Sequence, residues 1–251
     1  MTDFSYQLYS SRNFPPLADT LRMLASLGYA EVEGFGGLFT AERDAAALRD
    51  MLDEAGLRMP TCHVAFSAVR DDPESVIAMA RTLGLDAVFA PYLDAAERPS
   101  DAAGWRDFGA MLDRIGAPLR DAGLKFGWHN HDFEFVPLAD GTRPFDHIMA
   151  GGPGLAVELD VAWVVKGGSD PAATIDAVAD RLVAAHVKDI APAGQAADED
   201  GWADVGHGTV DWPALLRQLR GTGCRHFVME HDNPNDHERF ARRSIAAVQG
   251  I

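Results

Sequence analysis

The chain is short of cysteine, positive charge and long apolar runs, and each shortage excludes a class of protein. Only two cysteines, Cys62 and Cys224, occur in 251 residues. They cannot form a disulfide framework, no Cys-x-x-Cys zinc site exists, and both thiols read as small buried apolar groups in a reducing compartment. Lys and Arg number 22 against 38 Asp and Glu, a formal charge of −16. That balance repels phosphate backbones and anionic membrane surfaces, so no nucleic-acid partner is expected. The longest apolar runs, such as Val161-Ala162-Trp163-Val164-Val165, fall far below the roughly 20 residues that cross a bilayer. The start, Met-Thr-Asp-Phe-Ser-Tyr-Gln, has no basic segment followed by an apolar one, so a cytoplasmic protein with no membrane partner is expected. Glycine is missing from Tyr9-Ser10-Ser11-Arg12-Asn13-Phe14, where a dinucleotide-binding open sheet would need its fingerprint.

What is present is an alternation of short β-branched or apolar runs with segments of helical period. Strands are predicted at 4–9, 30–35, 59–65, 86–91, 124–130, 155–162, 183–189 and 226–231. Helices are predicted at 17–27, 40–55, 73–83, 101–122, 171–179, 211–219 and 236–248, with a short one at 144–150. Asp211-Trp212-Pro213 sets an acidic cap before a first-turn proline, while Gly28, Gly84 and Gly123 follow helix ends. Eight strands in 251 residues give a unit of roughly 31 residues, one βα repeat, and no linker divides the chain. The predicted fold is α/β, a single (β/α)8 TIM barrel domain over 1–251.

Such a barrel does its chemistry at the C-terminal ends of its strands, and these ends are rich in ionisable groups. They carry Glu31 and Glu33, His63, the run from Trp128 through His129, Asn130, His131 and Asp132 to Glu134, Glu158 and Asp160, His186 and Lys188, and Glu230 with His231 and Asp232. Residues two apart on a strand share a face, so Asp160 goes with Glu158, His186 with Lys188, Glu230 with Asp232, and His129 with His131. If Asp160, His186 and Glu230 point inward, three strands present two carboxylates and an imidazole to one point. That donor set suits Mn²⁺, Mg²⁺ or Co²⁺. Burying so many ionisable groups without a compensating cation would cost several kcal/mol each.

At these residues the sequence resembles the xylose-isomerase-like (β/α)8 superfamily, the sugar phosphate isomerase/epimerase group that also includes endonuclease IV relatives. The resemblance rests on His129-Asn130-His131-Asp132-Phe133-Glu134-Phe135, Glu158-Leu159-Asp160-Val161-Ala162-Trp163, His186-Val187-Lys188-Asp189, Val205 to Trp212, and Met229-Glu230-His231-Asp232. It implies one divalent metal ion, Mn²⁺ first and Mg²⁺ or Co²⁺ as alternatives, held by Asp160, His186, Glu230 and a ligand from the fifth strand. Where many members have Glu before Asn-His, this chain has His129. Either Glu134 reaches back to the metal or His129 takes the role; Glu134 is preferred because a carboxylate keeps the site hard, although face alternation favours His129.

The resemblance further implies an isomerase or epimerase for a small sugar or keto-polyol, abstracting a proton next to a carbonyl through a metal-stabilised enediolate. Glu134 and Glu230 would be the carboxylate pair, with His131 and Lys188 bonding a substrate oxygen. His63, Glu33 and His129 would add polar contacts. His207, in a glycine loop entering a helix, would place free N–H groups near the substrate. Trp105, Trp163 and Trp202 are candidates for a wall against a sugar ring. The altered fifth-strand motif keeps a dehydratase or lyase acting on inososes or 3-keto-glycosides as the second reading. A hydrolase of the endonuclease type lacks the basic groove it needs, and a non-catalytic barrel is the remaining alternative. Lys188 stands nearly alone among the strand ends, which leans away from a phosphorylated substrate. No residue pattern marks an interface, so a homo-oligomer is left open.

Overall fold

The computed structural model describes residues 4–41 and 43–250. In chain order its strands are β1 Phe4–Gln7, β2 Glu31–Phe35, β3 Arg58–His63, β4 Ala87–Ala90, β5 Lys125–His129, β6 Ala156–Asp160, β7 Leu182–Val187, the short β8 Asp189–Ile190 and β9 Trp202–Ala203, and β10 His226–Met229. Eight of them close into a parallel ring, with β10 between β7 and β1. The fold is the expected (β/α)8 barrel. β8 and β9 form an antiparallel hairpin of their own, which the sequence did not signal.

Alternation along the strands separates two environments. One set of side chains, including Tyr6, Val32, Cys62, Val88, Trp128, Leu159 and Val187, packs in the main apolar core with helix residues such as Leu21, Leu48 and Leu112. The other set combines polar side chains with a small apolar layer of Ala87, Phe89 and Ala184. Glu33 pairs with Thr61 and Gln7, His129 with Glu158, and Asp160 with His186. Helix burial therefore secures the strands from outside, and the barrel interior holds the ionisable groups beside a small apolar layer.

The helices are α1 Leu17–Ser26, α2 Ala45–Ala55, α3 Phe66–Asp71, α4 Pro73–Leu83, α5 Ala102–Ile115, α6 Ala117–Asp121, α7 Pro144–Gly151, α8 Val161–Lys166, α9 Pro171–Val178, α10 Trp212–Arg220 and α11 His237–Val248. Asp44, Asp72, Asp101, Asp170, Asp211 and Asp236 each accept a first-turn backbone N–H, worth about 1 kcal/mol apiece. Part of the acid surplus thus serves helix starts.

Several boundaries differ from expectation for local reasons. The predicted helix over 40–55 begins only at Ala45, after the Asp44 cap, while Thr40 and Arg43 bond to each other; residue 42 lies outside the described residues, as do 1–3 and 251. The helix expected over 101–122 splits at Gly116, where a Cβ would meet the Phe126 ring at 2.2 Å, and Pro118 starts a new turn. The first strand ends at Gln7 in a 3-10 turn over Leu8–Ser11. The sixth ends at Asp160, whose carboxylate takes the Trp163 N–H at 2.9 Å and starts α8. The apolar run from Val161 is therefore a short helix rather than the end of a strand.

Candidate metal centre and active site

Four strand ends bring His129, Asp160, His186 and Glu230 together, with one ligand atom of each lying within 4.8 Å of all the others. Asn130 fastens two of these ends: its Nδ2 donates to the Asp160 carbonyl at 3.1 Å and its Oδ1 accepts the Asp160 N–H at 3.0 Å. His186 Nδ1 meets Glu230 Oε2 at 2.9 Å and lies 3.8 Å from Asp160 Oδ2. Lys188, one of three lysines in the chain, is fully buried against the face of Trp202, 4.1 Å from its ring centre. Its ammonium reaches Asp232 Oδ1 at 2.6 Å and Glu230 Oε2 at 3.2 Å, and stands 3.8 Å from Asp160.

A second tier lies beside the first and shares its two imidazoles. His63, His129, Glu158 and His186 also present ligand atoms within 4.8 Å of one another. Glu158 Oε2 meets His63 Nε2 at 2.5 Å and His129 Nδ1 at 3.1 Å. Glu33 Oε1 meets His186 Nε2 at 2.7 Å and accepts from Gln7 Nε2 at 2.8 Å.

Burial and charge set the protonation of these groups. Burial raises Asp160 to about 6 despite Lys188 and His186 beside it. Burial would also raise Glu230, but Lys188 and His186 outweigh it and hold this carboxylate well below its usual range. Burial lowers His129 strongly and, with Lys188 nearby, brings His131 down to about 3. Both rings are therefore neutral, the form that lends a lone pair. At His186 burial is outweighed by the carboxylates of Glu158, Glu230 and Glu33, which push the ring well above its usual range, so an ion would replace a proton there. Asp160 Oδ2, Glu158 Oε1 and Glu33 Oε2 are buried without a hydrogen-bond partner among the described residues, although such atoms normally find one. Two imidazoles and two carboxylates, one with an unpartnered oxygen, fit a divalent cation.

The cluster opens into a cavity of about 560 Å³ lined by Tyr9, Phe35, His63, Tyr92, His129, His131, Glu230 and Asp232. Tyr9 and Phe35 meet edge to face at 5.3 Å, and Arg98 donates to the Tyr92 hydroxyl at 2.9 Å. These aromatics, which sit at or just after the ends of the first, second and fourth barrel strands, line the cavity where tryptophan was expected. Trp105 is buried against Phe108 and Phe133, and Trp163 and Trp202 pack on each other. Aromatic residues at strand ends were the available signal, and ring size misled.

His63, His129, His131 and Glu230 line the cavity, while Asp160 and His186 lie in the cluster beneath it. Four other expectations need correction. Glu134 does not join the cluster. The chain turns after β5, so its Oε1 takes the Trp128 indole N–H at 2.8 Å and its Oε2 the His131 backbone N–H at 2.9 Å. It is fully buried, and burial raises it to about 8. His129 occupies the fifth-strand position instead. Lys188 and Glu33 do not line the cavity, because their polar atoms are directed at the buried groups described above. His207 is exposed in a separate groove, and the N–H groups of its loop are already used. Asp189 accepts those of Gly206, Gly208 and Val210 at 2.9–3.1 Å.

A search of curated proteins finds no match to this sequence. Among solved structures, the barrel is similar to a sugar phosphate isomerase/epimerase from Parabacteroides distasonis, with a TM-score of 0.83 and 21% identity over 99% of this chain and 94% of that one. It is also similar to a probable 3-DHS dehydratase from Bacillus anthracis, AsbF, involved in petrobactin synthesis, at a TM-score of 0.77 and 12% identity over 98% of each chain. An IolI protein solved with a bound zinc atom gives a TM-score of 0.77 and 15% identity over 98% of this chain and 96% of that one. At these identities the likeness is one of fold. The sequence profile described as xylose isomerase-like TIM barrel matches residues 21–249, and the chain belongs to that family.

Proposed function

We propose that this barrel is a divalent-metal-dependent enzyme that removes a proton from the carbon next to a carbonyl in a small sugar or keto-polyol, acting as an isomerase or epimerase. The observation that carries the reading is the set His129, Asp160, His186 and Glu230 at the floor of a 560 Å³ cavity, with a buried Asp160 oxygen left unpartnered. These four residues would hold the ion. Two imidazoles beside two carboxylates favour Mn²⁺, Co²⁺ or Zn²⁺ over Mg²⁺, and the bound zinc of the IolI protein is consistent with that. When bound, the ion supplies Lewis acidity toward the substrate's oxygens.

The chain's own groups divide the remaining work. Glu230 Oε2 is engaged by His186 and Lys188, and Oε1 has no protein partner among the described residues. Oε1 is the atom that takes the proton. Lys188 holds Glu230 and Asp232 in place and balances their charge. Neutral His131, whose ring lines the cavity, bonds a substrate oxygen. Tyr9, Phe35 and Tyr92 pack against the C–H face of the substrate and displace water from it.

One feature favours a second reading, a dehydratase or lyase on inososes or 3-keto-glycosides. Both carboxylates on the cavity wall, Glu230 and Asp232, follow β10, and the facing residues His63, His129 and His131 are imidazoles. A single basic face suits proton removal followed by return to the same face or by loss of a leaving group, and it disfavours two-base epimerisation. The test incubates Mn²⁺-loaded protein with ketohexoses, inososes and 3-keto-glycosides in deuterated water. Deuterium at a carbon next to a carbonyl is expected for at least one substrate class, and an unsaturated product identifies elimination. No incorporation and no product across the panel would refute both readings.

A further inference from the structure

We infer that Glu33 and Glu158 are positioning residues: their carboxylates orient the rings of His186 and His129 so that the opposite nitrogen of each ring turns its lone pair to the cation. The inference rests on the metal-dependent reading above. An imidazole that binds an ion through one nitrogen carries its hydrogen on the other, and the acceptor of that hydrogen fixes both tautomer and ring angle.

His186 is contacted on both edges. Its Nδ1 faces Glu230 and Asp160, at 2.9 and 3.8 Å, and its Nε2 faces Glu33 Oε1 at 2.7 Å. Both 2.7 and 2.9 Å are distances of charge-assisted N–H···O bonds; an ion held beside Asp160 and Glu230 would take the place of the hydrogen on Nδ1, which leaves the ring hydrogen on Nε2, bonded to Glu33. His129 has the reverse orientation. Its Nδ1 lies 3.1 Å from Glu158 Oε2, which leaves Nε2 as the ligand atom. Each acid is itself held. Gln7 Nε2 donates to Glu33 Oε1 at 2.8 Å, and His63 Nε2 lies 2.5 Å from Glu158 Oε2 and 3.3 Å from Glu33 Oε1. Gln7, Glu33 and Glu158 are wholly buried, so no water competes for these bonds.

The short contacts also say what lies between these groups. Two ligands of one ion, each about 2.0–2.2 Å from it, stand roughly 3 Å or more apart. His63 to Glu158 at 2.5 Å and His186 to Glu33 at 2.7 Å are closer than that, so a proton and not an ion joins each pair. The unpartnered Glu33 Oε2 and Glu158 Oε1 are the atoms a second ion in this tier would engage, and ion stoichiometry separates the two arrangements.

The experiment titrates Zn²⁺ into metal-free wild type and into Glu33→Gln, Glu33→Leu, Glu158→Gln and Glu158→Leu, with thermal melts to verify folding. It adds ¹⁵N imidazole spectra of the Zn²⁺-loaded wild type. One ion per chain is expected, with 10- to 100-fold weaker binding in the Leu variants. The Gln variants, which retain a carbonyl acceptor, should recover most of the affinity. The spectra should show hydrogen on Nε2 of His186 and on Nδ1 of His129. If the Leu variants do not fold, the Gln variants and the wild-type spectra still decide. Wild-type affinity in folded Leu variants, the opposite tautomers, or two ions per chain would overturn the inference alone. A wild type that takes up no Zn²⁺ would overturn the metal-dependent reading and the inference together.

Discussion

Asp160 and Asp189 are both wholly buried aspartates near the mouth end of neighbouring barrel strands, yet the chain treats them in opposite ways. Asp189 receives four backbone N–H groups, from Ile190, Gly206, Gly208 and Val210. Among the described residues Asp160 receives one, from Trp163, and its second oxygen has no hydrogen bond. A buried carboxylate that its own chain satisfies is part of the scaffold, because its desolvation is offset within the fold. One left partly open is held in place for something the chain does not supply. Burial alone therefore does not mark a site; the unmet hydrogen-bonding capacity does.

The comparison is broken most directly at Asp160. Asp160→Asn retains an oxygen for the Trp163 N–H and removes the charge. Four-ligand zinc sites bind with about 10–16 kcal/mol in total, so losing one charged ligand should weaken Zn²⁺ binding by about a thousandfold, ~4 kcal/mol. Metal-free stability should hold steady or rise, since burial already raises this carboxyl to about 6. Calorimetric titration and urea unfolding measure the two effects. Undiminished zinc affinity would remove Asp160 from the proposed ligand set.

Asp189→Ala should do the reverse. Four donors lose their acceptor, and with water reaching the exposed part of the loop the expected loss is about 3 kcal/mol of unfolding free energy. Zinc affinity should stay within about tenfold. If this variant lost affinity as severely as Asp160→Asn, the division between satisfied and open carboxylates would fail.

Much of this was legible in the sequence because the signals are local. Short β-branched or apolar runs between segments of helical period placed all eight barrel strands, and Asp211, Gly28, Gly84 and Gly123 marked helix ends. Alternation told which strand-end residues share a face and left open whether Asp160, His186 and Glu230 point inward; the structure gathers them, and the strand register brings Asp160 level with His186. What escaped was non-local or aperiodic. The bonds from Gly206, Gly208 and Val210 to Asp189 span 17–21 residues, so the loop read as open to a substrate. The β8–β9 hairpin pairs two-residue strands, too short to show a pattern. Past His129 the chain leaves the sheet in a turn closed by Phe135 N–H to the Asp132 carbonyl. Face alternation loses meaning there, and hardness of donor was a poor guide to which way Glu134 points.

Glu134 offers the finest test, because both of its oxygens are engaged by the chain and yet burial raises it to about 8. Its ordinary value in the unfolded chain is near 4.5, so between pH 5 and 8 the unfolded state releases a proton that the folded state retains. The contribution is therefore full below about pH 4.5 and is lost as pH rises toward 8. Glu134→Gln removes that slope and gives up the bond to the His131 N–H. The two effects together leave the variant more stable by about 1 kcal/mol at pH 7. The gap should widen from pH 5 to pH 8 in metal-free urea unfolding. The opposite slope, with wild type gaining on the variant as pH rises, would mean that Glu134 is ionised in the folded protein. It would then be a satisfied scaffold carboxylate of the same kind as Asp189, with both oxygens engaged by the chain.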